Sequence, residues 1–478
     1  MLGRYRKSIR GGFHFPRLEG EPQGGVGEVP LSGPLWVPLR QGFGGTCQAV
    51  VKPGDRVVRG QVLGRANGEL GWPVHAPASG TVAQMGAVTI ADDLVPAICI
   101  EPDGRNEEER LPGATPSFER LQADEVQNLL HAAGVGSLFS QGLPSPLTRS
   151  PLPTEQVKVV AIAALSTEPF LPRPRVLLNG RLDDFVTGLR VLHQAFPEAT
   201  VAVGYSRADS DLFGEVYRRT AAPSWLTVWP LAAKYPQEHP ALLVTALLSR
   251  KKVTTSPAAL GAVVADAQVV LHAKEAVVDG RPVTKRLLAL GGNGFSRPGY
   301  VRVPVGTTVR ALVSGRLIDQ AHPYLVLGGL LTGVRVTDLE APVTRSTAAL
   351  ACLPLPTQAE LLGSFRPGAK SVSSSNAFLA AMLPFGSRRL VASLHGEKRP
   401  CVQCNYCEDV CPVEIIPHLL SKQVTHGLVE ESERFGIFSC VECGLCSYVC
   451  PSKIDLLADI RLGKRTLMQE KEKYAATA

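Results

Sequence analysis

No run of about 18 apolar residues occurs in the 478-residue chain, so no membrane-spanning helix is expected. The opening MLGRYRKSIRGG lacks the apolar stretch of a secretory signal. Charge is sparse: 19% of residues are charged, and the net charge of +7 is small for this size. No basic run is interleaved with aromatics, which sets nucleic acid aside as a partner. Cysteine is nearly missing before residue 401, where only Cys47, Cys99 and Cys352 stand, each alone. That distribution excludes a disulfide scaffold, which spreads its cysteines along its domains. What is there is ordinary globular material. A 45% hydrophobic content excludes wholesale disorder, and 46 glycines with 38 prolines in no period fit many short strands and turns. The length exceeds one compact core and suggests three or four domains.

Residues 1–45 have no helical period and read as an arm wrapping another part of the protein. Arg4, Arg6, Lys7 and Arg10 at its start read either as a solvated terminus or as a contact with an anionic lipid or acidic partner. Residues 46–103 alternate apolar and polar around Pro53-Gly54-Asp55 and Ala78-Ser79-Gly80, a pattern similar to the flattened β-barrel of lipoyl carriers. A carrier needs a lysine at a hairpin tip, and Lys52 precedes the turn, so a docking or structural barrel is expected. Residues 118–292 alternate buried-strand runs (VKVVAIAAL, ATVAVGY) with amphipathic helix (LDDFVTGLRVLHQAF), which predicts a Rossmann-like α/β layer with a largely parallel sheet. Residues 298–355 return to short strands, with Gly328-Gly329 and Gly333 at tight turns or near a ligand. Residues 356–395 read as a connector with some helix, and 461–478 as a charged helical tail.

Eight cysteines fall between Cys401 and Cys450. Cys401, Cys404, Cys407 and Cys411 precede Pro412; Cys440, Cys443, Cys446 and Cys450 precede Pro451. Both runs are C-x2-C-x2-C-x3-C-P, the spacing that presents soft thiolates to a [4Fe–4S] cubane. In two-cluster ferredoxins the fourth cysteine of each run ligates the other cluster. The expected ligand sets are therefore Cys401, Cys404, Cys407 and Cys450 for the first cluster, and Cys440, Cys443, Cys446 and Cys411 for the second. A zinc ribbon would use C-x2-C pairs but has no use for the further thiols and trailing proline. The residues 396–460 thus predict an α-helical dicluster ferredoxin domain, with two helical stretches between the motifs. His418 and His426 read as surface or helix-end residues there. Val402, Val441, Ile415 and Ile454 read as apolar neighbours that exclude solvent from the clusters, or as ordinary packing.

The order of these parts resembles the RnfC family, which belongs to the Rnf complex, a membrane-bound ion-pumping oxidoreductase, and is related to the NADH-oxidising flavoprotein of respiratory complex I. The matching segments are GGFHFPRLEGEP, VVKPGDRVVRGQVLG with VHAPASGTV, KYPQ at Lys234–Gln237, and VRVPVGTTVRALV with LVLGGLLTGVRVTDLEAPVTRST. The last pair resembles that family's ligand-binding β-grasp (SLBB-like) module. Where the family carries GGAGFPT for NADH and FMN, this chain reads AAGVGSLFSQGLPSP at Ala132–Pro146. Gly134, Gly136 and Gly142 remain, but Leu138 and Phe139 stand where backbone should approach a phosphate or flavin. The family's NGAECEPYL appears as AALSTEPFL, keeping Glu168, either as a remnant of the flavin site or as a solvated loop carboxylate. The segment expected to supply a flavin-contacting Asn reads GYSRADSD. This loss also resembles NqrA of the sodium-pumping NADH:quinone reductase, which shares the barrel, α/β layer and β-grasp but lacks the ferredoxin cysteines.

The resemblance implies a peripheral subunit at the cytoplasmic face of the cell membrane, relaying single electrons through two [4Fe–4S] clusters. Its implied partners are integral-membrane and flavoprotein subunits, with ferredoxin or quinone as further candidates. FMN at Gly134, Gly136, Gly142 and Glu168 remains an alternative in which the chain itself oxidises NADH, though the altered loop argues for loss. Two further readings are a docking scaffold with structural clusters, and a reductase of a cobalamin-type cofactor, whose relatives lack the leading barrel.

Overall fold

The computed structural model describes residues 8–355 and 398–477, apart from 32, 67–70, 92, 144–152, 251–252, 254–255 and 320–322. Arg4, Arg6 and Lys7, and the 356–395 connector, lie outside the described residues. A four-stranded antiparallel sheet runs in the order Leu35–Pro38, Asp93–Pro102, Gly80–Ile90, Arg56–Val57. It is completed by a smaller sheet of Gln48–Ala49, Val62–Arg65 and Val74–His75. Their inner faces share Val37, Val57, Leu63, Val82, Ile98 and Ile100, all fully buried. The first strand comes from inside the segment expected to be an arm. Leu35 and Val37 alternate with Trp36, and a four-residue strand leaves too little pattern to separate it from extended coil.

The α/β layer holds four parallel strands in the order Leu226–Leu231, Thr200–Ser206, Val159–Ala164, Ala262–Asp266. Helices Ala123–Ala132, Leu182–Ala195 and Ala267–Val277 cover one face, meeting Val160, Ile162, Val201, Val203 and Val263. Helix Pro240–Leu247 covers the other, meeting Val159, Ala161, Ala202 and Val264. Strands covered on both sides must be apolar at every position, which is why VVAIAA reads as a continuous run. The crevice at the carboxyl ends of these strands begins at Leu165–Phe170 and Ser206.

The third sheet has six strands, in the order Val26–Glu28, Gly299–Pro304, Lys285–Gly291, Ala349–Pro354, Pro323–Leu327, Val334–Arg335. Two of these strands come from outside the module expected at 298–355. Val26–Glu28 belongs to the leading segment and pairs in parallel with Gly299–Pro304. Lys285–Gly291 lies within the span assigned to the α/β layer, yet it is hydrogen-bonded to Gly299–Pro304 and Ala349–Pro354. An apolar run such as RLLALG specifies a buried strand but not which sheet receives it. The C-terminal part packs helices Tyr406–Asp409, Pro417–Thr425, Val429–Arg434 and Leu445–Val449 against the long helix Leu456–Thr477. The charged tail is thus no separate element. Its Leu467 is buried with Leu420, Val424, Ile437 and Ile460.

The start of the described chain clamps these parts together. Phe13 forms a β-bridge with Tyr235, the Gly12 amide donates to the Val410 carbonyl at 2.7 Å, and the Ile9 amide donates to Gln237 Oε1 at 3.2 Å.

Candidate metal centres and nucleotide loop

The two cysteine runs share one backbone form. Gln403, Asn405 and Glu414 have positive φ in the first run, and Glu442, Gly444 and Lys453 have it at the equivalent places in the second. Left-handed backbone costs a non-glycine residue about 1 kcal/mol or more, and it recurs here at matched positions because it curls successive amides inward. The amide of Glu442 donates to Cys440 Sγ at 3.4 Å. Amides of Val413, Glu414 and Ile415 face Cys411, and that of Leu445 faces Cys443. Such N–H groups lower the cost of a thiolate.

The fourth cysteines exchange places. Cys401, Cys404, Cys407 and Cys450 line one narrow cavity with His418 and Ile454. Cys443 and Cys446 instead face Cys440 and Cys411. Burial first, and neighbouring thiols second, push Cys407 up to about 11 and Cys443 up to about 12. Thiols this unwilling to ionise in isolation need bound cationic charge to become ligands, and iron supplies it. Among the described residues no three His, Cys, Asp or Glu side chains converge as the ligands of a single ion do. The sulfurs around a cubane bind separate irons and need no such convergence. The donor chemistry and the amide-lined loops fit [4Fe–4S] clusters.

The groups differ in cover. Cys401 is exposed and Cys404 partly so, whereas Cys411, Cys443 and Cys446 are buried. Val402, read as a solvent excluder or as ordinary packing, is 58% exposed and is neither; Ile415 is 7% exposed and packs in one cluster with Cys411. The second group is roofed by Phe13, Phe15, Leu331, Tyr235 and Tyr448. Tyr235 Oη donates to the Cys443 carbonyl at 2.6 Å. His426 sits exposed at a helix end, but His418 Nδ1 lies 3.7 Å from Cys407 Sγ, within sulfur hydrogen-bond range.

The glycine loop is packed shut. A side chain at Gly134 would strike the Arg345 guanidinium, one at Gly136 the Trp72 indole nitrogen, and one at Gly142 the same indole ring at 2.5 Å. Trp72 comes from the barrel and meets Phe43 edge-on at 6.1 Å. Arg345 is 1% exposed; it donates to the carbonyls of Pro73 (2.8 Å) and Val283 (3.2 Å) and meets His75 Nδ1 at 2.9 Å. Burial lowers its pKa to about 10. Leu138 and Phe139 are not the obstruction, because both turn into the α/β core. The residues present do not fit a flavin at this loop. Pro144–Pro146 lie outside the described residues.

Glu168 finds its partners elsewhere. Its Oε1 accepts from the amides of Leu331 (2.7 Å) and Thr332 (2.9 Å), and Thr332 Oγ1 donates to Oε2 at 2.9 Å. Gly329 lies directly under this carboxylate, so Gly328-Gly329 and Gly333 close a turn around a buried side chain. Glu238, which follows KYPQ, accepts from the amides of Thr167 (3.0 Å) and Glu168 (2.8 Å). Spacing and periodicity did not single out Trp72, Arg345, Tyr235, Glu238 or the contact of His418 with a ligand sulfur. Tyr235 and Arg345 lie in segments that mark the family resemblance, KYPQ and LVLGGLLTGVRVTDLEAPVTRST, but nothing local assigns either a role.

Family models match three stretches: the RnfC barrel sandwich hybrid domain at residues 7–105, the NqrA second alpha/beta domain at 121–215, and a 4Fe-4S dicluster domain at 400–455. The resemblance to RnfC and NqrA holds. Curated relatives of the RnfC type, from ion-translocating oxidoreductase complexes, include that of Edwardsiella ictaluri (strain 93-146), 27% identical over 419 residues, covering 86% of this chain and 48% of the relative. That of Klebsiella pneumoniae (strain 342) is 28% identical over 421 residues, covering 86% and 51%. The chain spans about half the length of these relatives. A crystal structure of an NAD+-reducing [NiFe]-hydrogenase in the air-oxidized state aligns with 49% of this chain and 48% of its own at 16% identity and a TM-score of 0.39, which carries no argument. Among the described residues no helix is long and apolar enough to cross a membrane.

Proposed function

We propose that the chain is a peripheral electron-transfer subunit of an Rnf- or Nqr-type ion-translocating oxidoreductase, on the cytoplasmic face of the membrane. The observation that carries this is the exchange of Cys411 and Cys450 between the two thiol groups, the arrangement of a two-cluster relay. A [4Fe–4S] cluster held by each group supplies one-electron transfer. The chain's residues set the insulation of each group and which of them meets an outside partner. The Phe13–Phe15–Tyr235–Tyr448 roof keeps water from the Cys411/440/443/446 group on the side of the α/β layer. The exposed Cys401 and Val402 open the other group to an outside partner. With both groups loaded, electrons would pass between the body and that partner by way of the two thiol groups, feeding or draining integral-membrane subunits.

Trp72 and Arg345 favour a partner as the donor, a ferredoxin, flavoprotein or quinol, over NADH and FMN bound at Gly134–Gly142. Anaerobic purification with iron, acid-labile sulfide and released flavin measured on one sample tests both points. Near eight irons and eight sulfides without flavin, even after added FMN, is expected for two filled cubanes. Stoichiometric FMN would overturn the closed-loop reading, and little iron would overturn the relay itself.

A further inference from the structure

Two carboxylates sit beside the second cysteine group, and the relay gives neither a task. Glu168 is 7% exposed and Glu238 is partly buried. They are joined through the Thr167–Glu168 backbone, whose two amides both donate to Glu238 Oε1. Thr167 Oγ1 also donates to Glu238. Every hydrogen bond to the Glu168 carboxylate comes from Leu331 and Thr332, and no lysine or arginine bonds either carboxylate among the described residues. The same Leu331 packs beside Cys443 and Leu445, and its carbonyl lies 3.2 Å from where a side chain on Gly444 would begin. One peptide thus separates the buried carboxylate from the second cysteine loop. On its other sides Glu168 lines two open cavities of about 380 and 520 Å³, so water reaches it without crossing the cysteine group.

An electron arriving in a low-dielectric site adds a charge that a nearby titratable group, if no counter-ion already holds it ionised, answers by binding a proton. We propose that the Glu168–Glu238 pair is a proton-binding site that takes up one proton as one electron reaches the centre held by Cys411, Cys440, Cys443 and Cys446. The proposal rests on the electron-relay reading above. The electron comes from a one-electron donor. The proton comes from hydronium in the adjoining cavities, an O–H bond forms on the Glu168 carboxylate, and the local charge is unchanged.

The other charged groups facing the pair or the cysteine group do not answer in its place. Glu442, beside Cys440, is bonded by Lys464 and Arg461, both at 2.9 Å, which against the opposing effect of burial hold its carboxyl below the usual range. Glu414 is paired with Arg10. Burial lowers His239 to about 4, so it stays neutral from about pH 6 to about pH 9. Arg17 and Arg173, in the larger cavity, are both paired with Glu21, and Arg175 with Asp209 and Asp211. Arg335, in the smaller one, lies over the Tyr324 ring at 5.0 Å, with Asp338 on the same wall. The Tyr235 phenol stays protonated, since burial raises its pKa far above neutral. Burial, countered by the Thr332 and Leu331 amides and reinforced by Glu238, brings Glu168 up to about 7. Burial raises Glu238 as well.

The test is a redox titration of the anaerobically purified full chain with dithionite, followed by electron paramagnetic resonance, from about pH 6 to about pH 9. One of two midpoint potentials is expected to be level in acid and to fall above about pH 7, at up to about 59 mV per pH unit. The other stays level throughout. Glu168→Gln removes the slope, and Glu238→Gln, which deletes a like charge, moves its onset to lower pH. Two level potentials in the unaltered protein would overturn the proposal, as would a slope retained in Glu168→Gln. If Glu168→Gln does not assemble, an unmoved onset in Glu238→Gln overturns it instead. Loss of both resonance signals in the unaltered protein sinks the relay rather than the proton site.

Discussion

The Tyr235 hydroxyl donates to the carbonyl of Cys443 at 2.6 Å, across 208 residues of chain. It ties the α/β layer to the second cysteine loop, under a roof completed by Phe13 and Phe15. Tyr235→Phe keeps the ring and leaves the Cys443 carbonyl unpaired. A destabilisation of about 1–3 kcal/mol is expected, read by denaturant unfolding of the iron-loaded chain. An unchanged midpoint would show that the seam is held by the aromatic contacts alone.

The exchange of fourth cysteines separates single from paired losses. Cys411→Ser removes a ligand from the group of Cys440, Cys443 and Cys446, although it lies in the other motif. Adding Cys443→Ser to it should therefore cost little further iron. Adding Cys404→Ser should empty both groups. Iron and acid-labile sulfide content of the two double variants checks this, and the reverse ranking would assign each cluster to its own motif.

Gly136→Ala places a methyl group against the Trp72 indole nitrogen, with no room for it. Overpacking of this kind costs about 1–3 kcal/mol, seen as a lowered unfolding midpoint. Added FMN should give neither protein thermal protection. Protection of the unaltered chain by FMN would mean that the loop opens.

His418→Leu deletes the ring nitrogen 3.7 Å from Cys407 Sγ while keeping bulk in the half-buried site. A hydrogen bond to a ligating sulfur favours the more negative, reduced state. Its loss should lower the potential of the Cys401/404/407/450 centre and leave the other unmoved. A redox titration that shifts neither centre would return His418 to a packing role.

Much of this was legible along the chain because the signals were local. C-x2-C-x2-C-x3-C-P states a donor set within eleven residues, and its duplication points to a grouping in which Cys450 joins Cys401, Cys404 and Cys407, the four that line one cavity. The continuous apolar run VVAIAA implied a strand covered on both faces, and LDDFVTGLRVLHQAF a helix with one apolar stripe. The glycines of the nucleotide loop were visible too. What fills the space beside them was not.

That division has a physical cause. Spacing, periodicity and turn chemistry are set by neighbours within a few residues, so the sequence by itself marked the two cysteine runs, the strands Val159–Ala164 and Thr200–Ser206, and the helix Leu182–Ala195. Only the tertiary structure decided that Trp72 and Arg345 close the glycine loop and that Glu168 sits on the Leu331–Thr332 amides. It alone recruited Val26–Glu28 and Lys285–Gly291 to the sheet of Gly299–Pro304. Apart from Lys285–Gly291, which directly precedes Gly299–Pro304 in the chain, those partners stand far apart, where no period or spacing links them, and they meet because each buries surface or satisfies a polar group that its own segment leaves open.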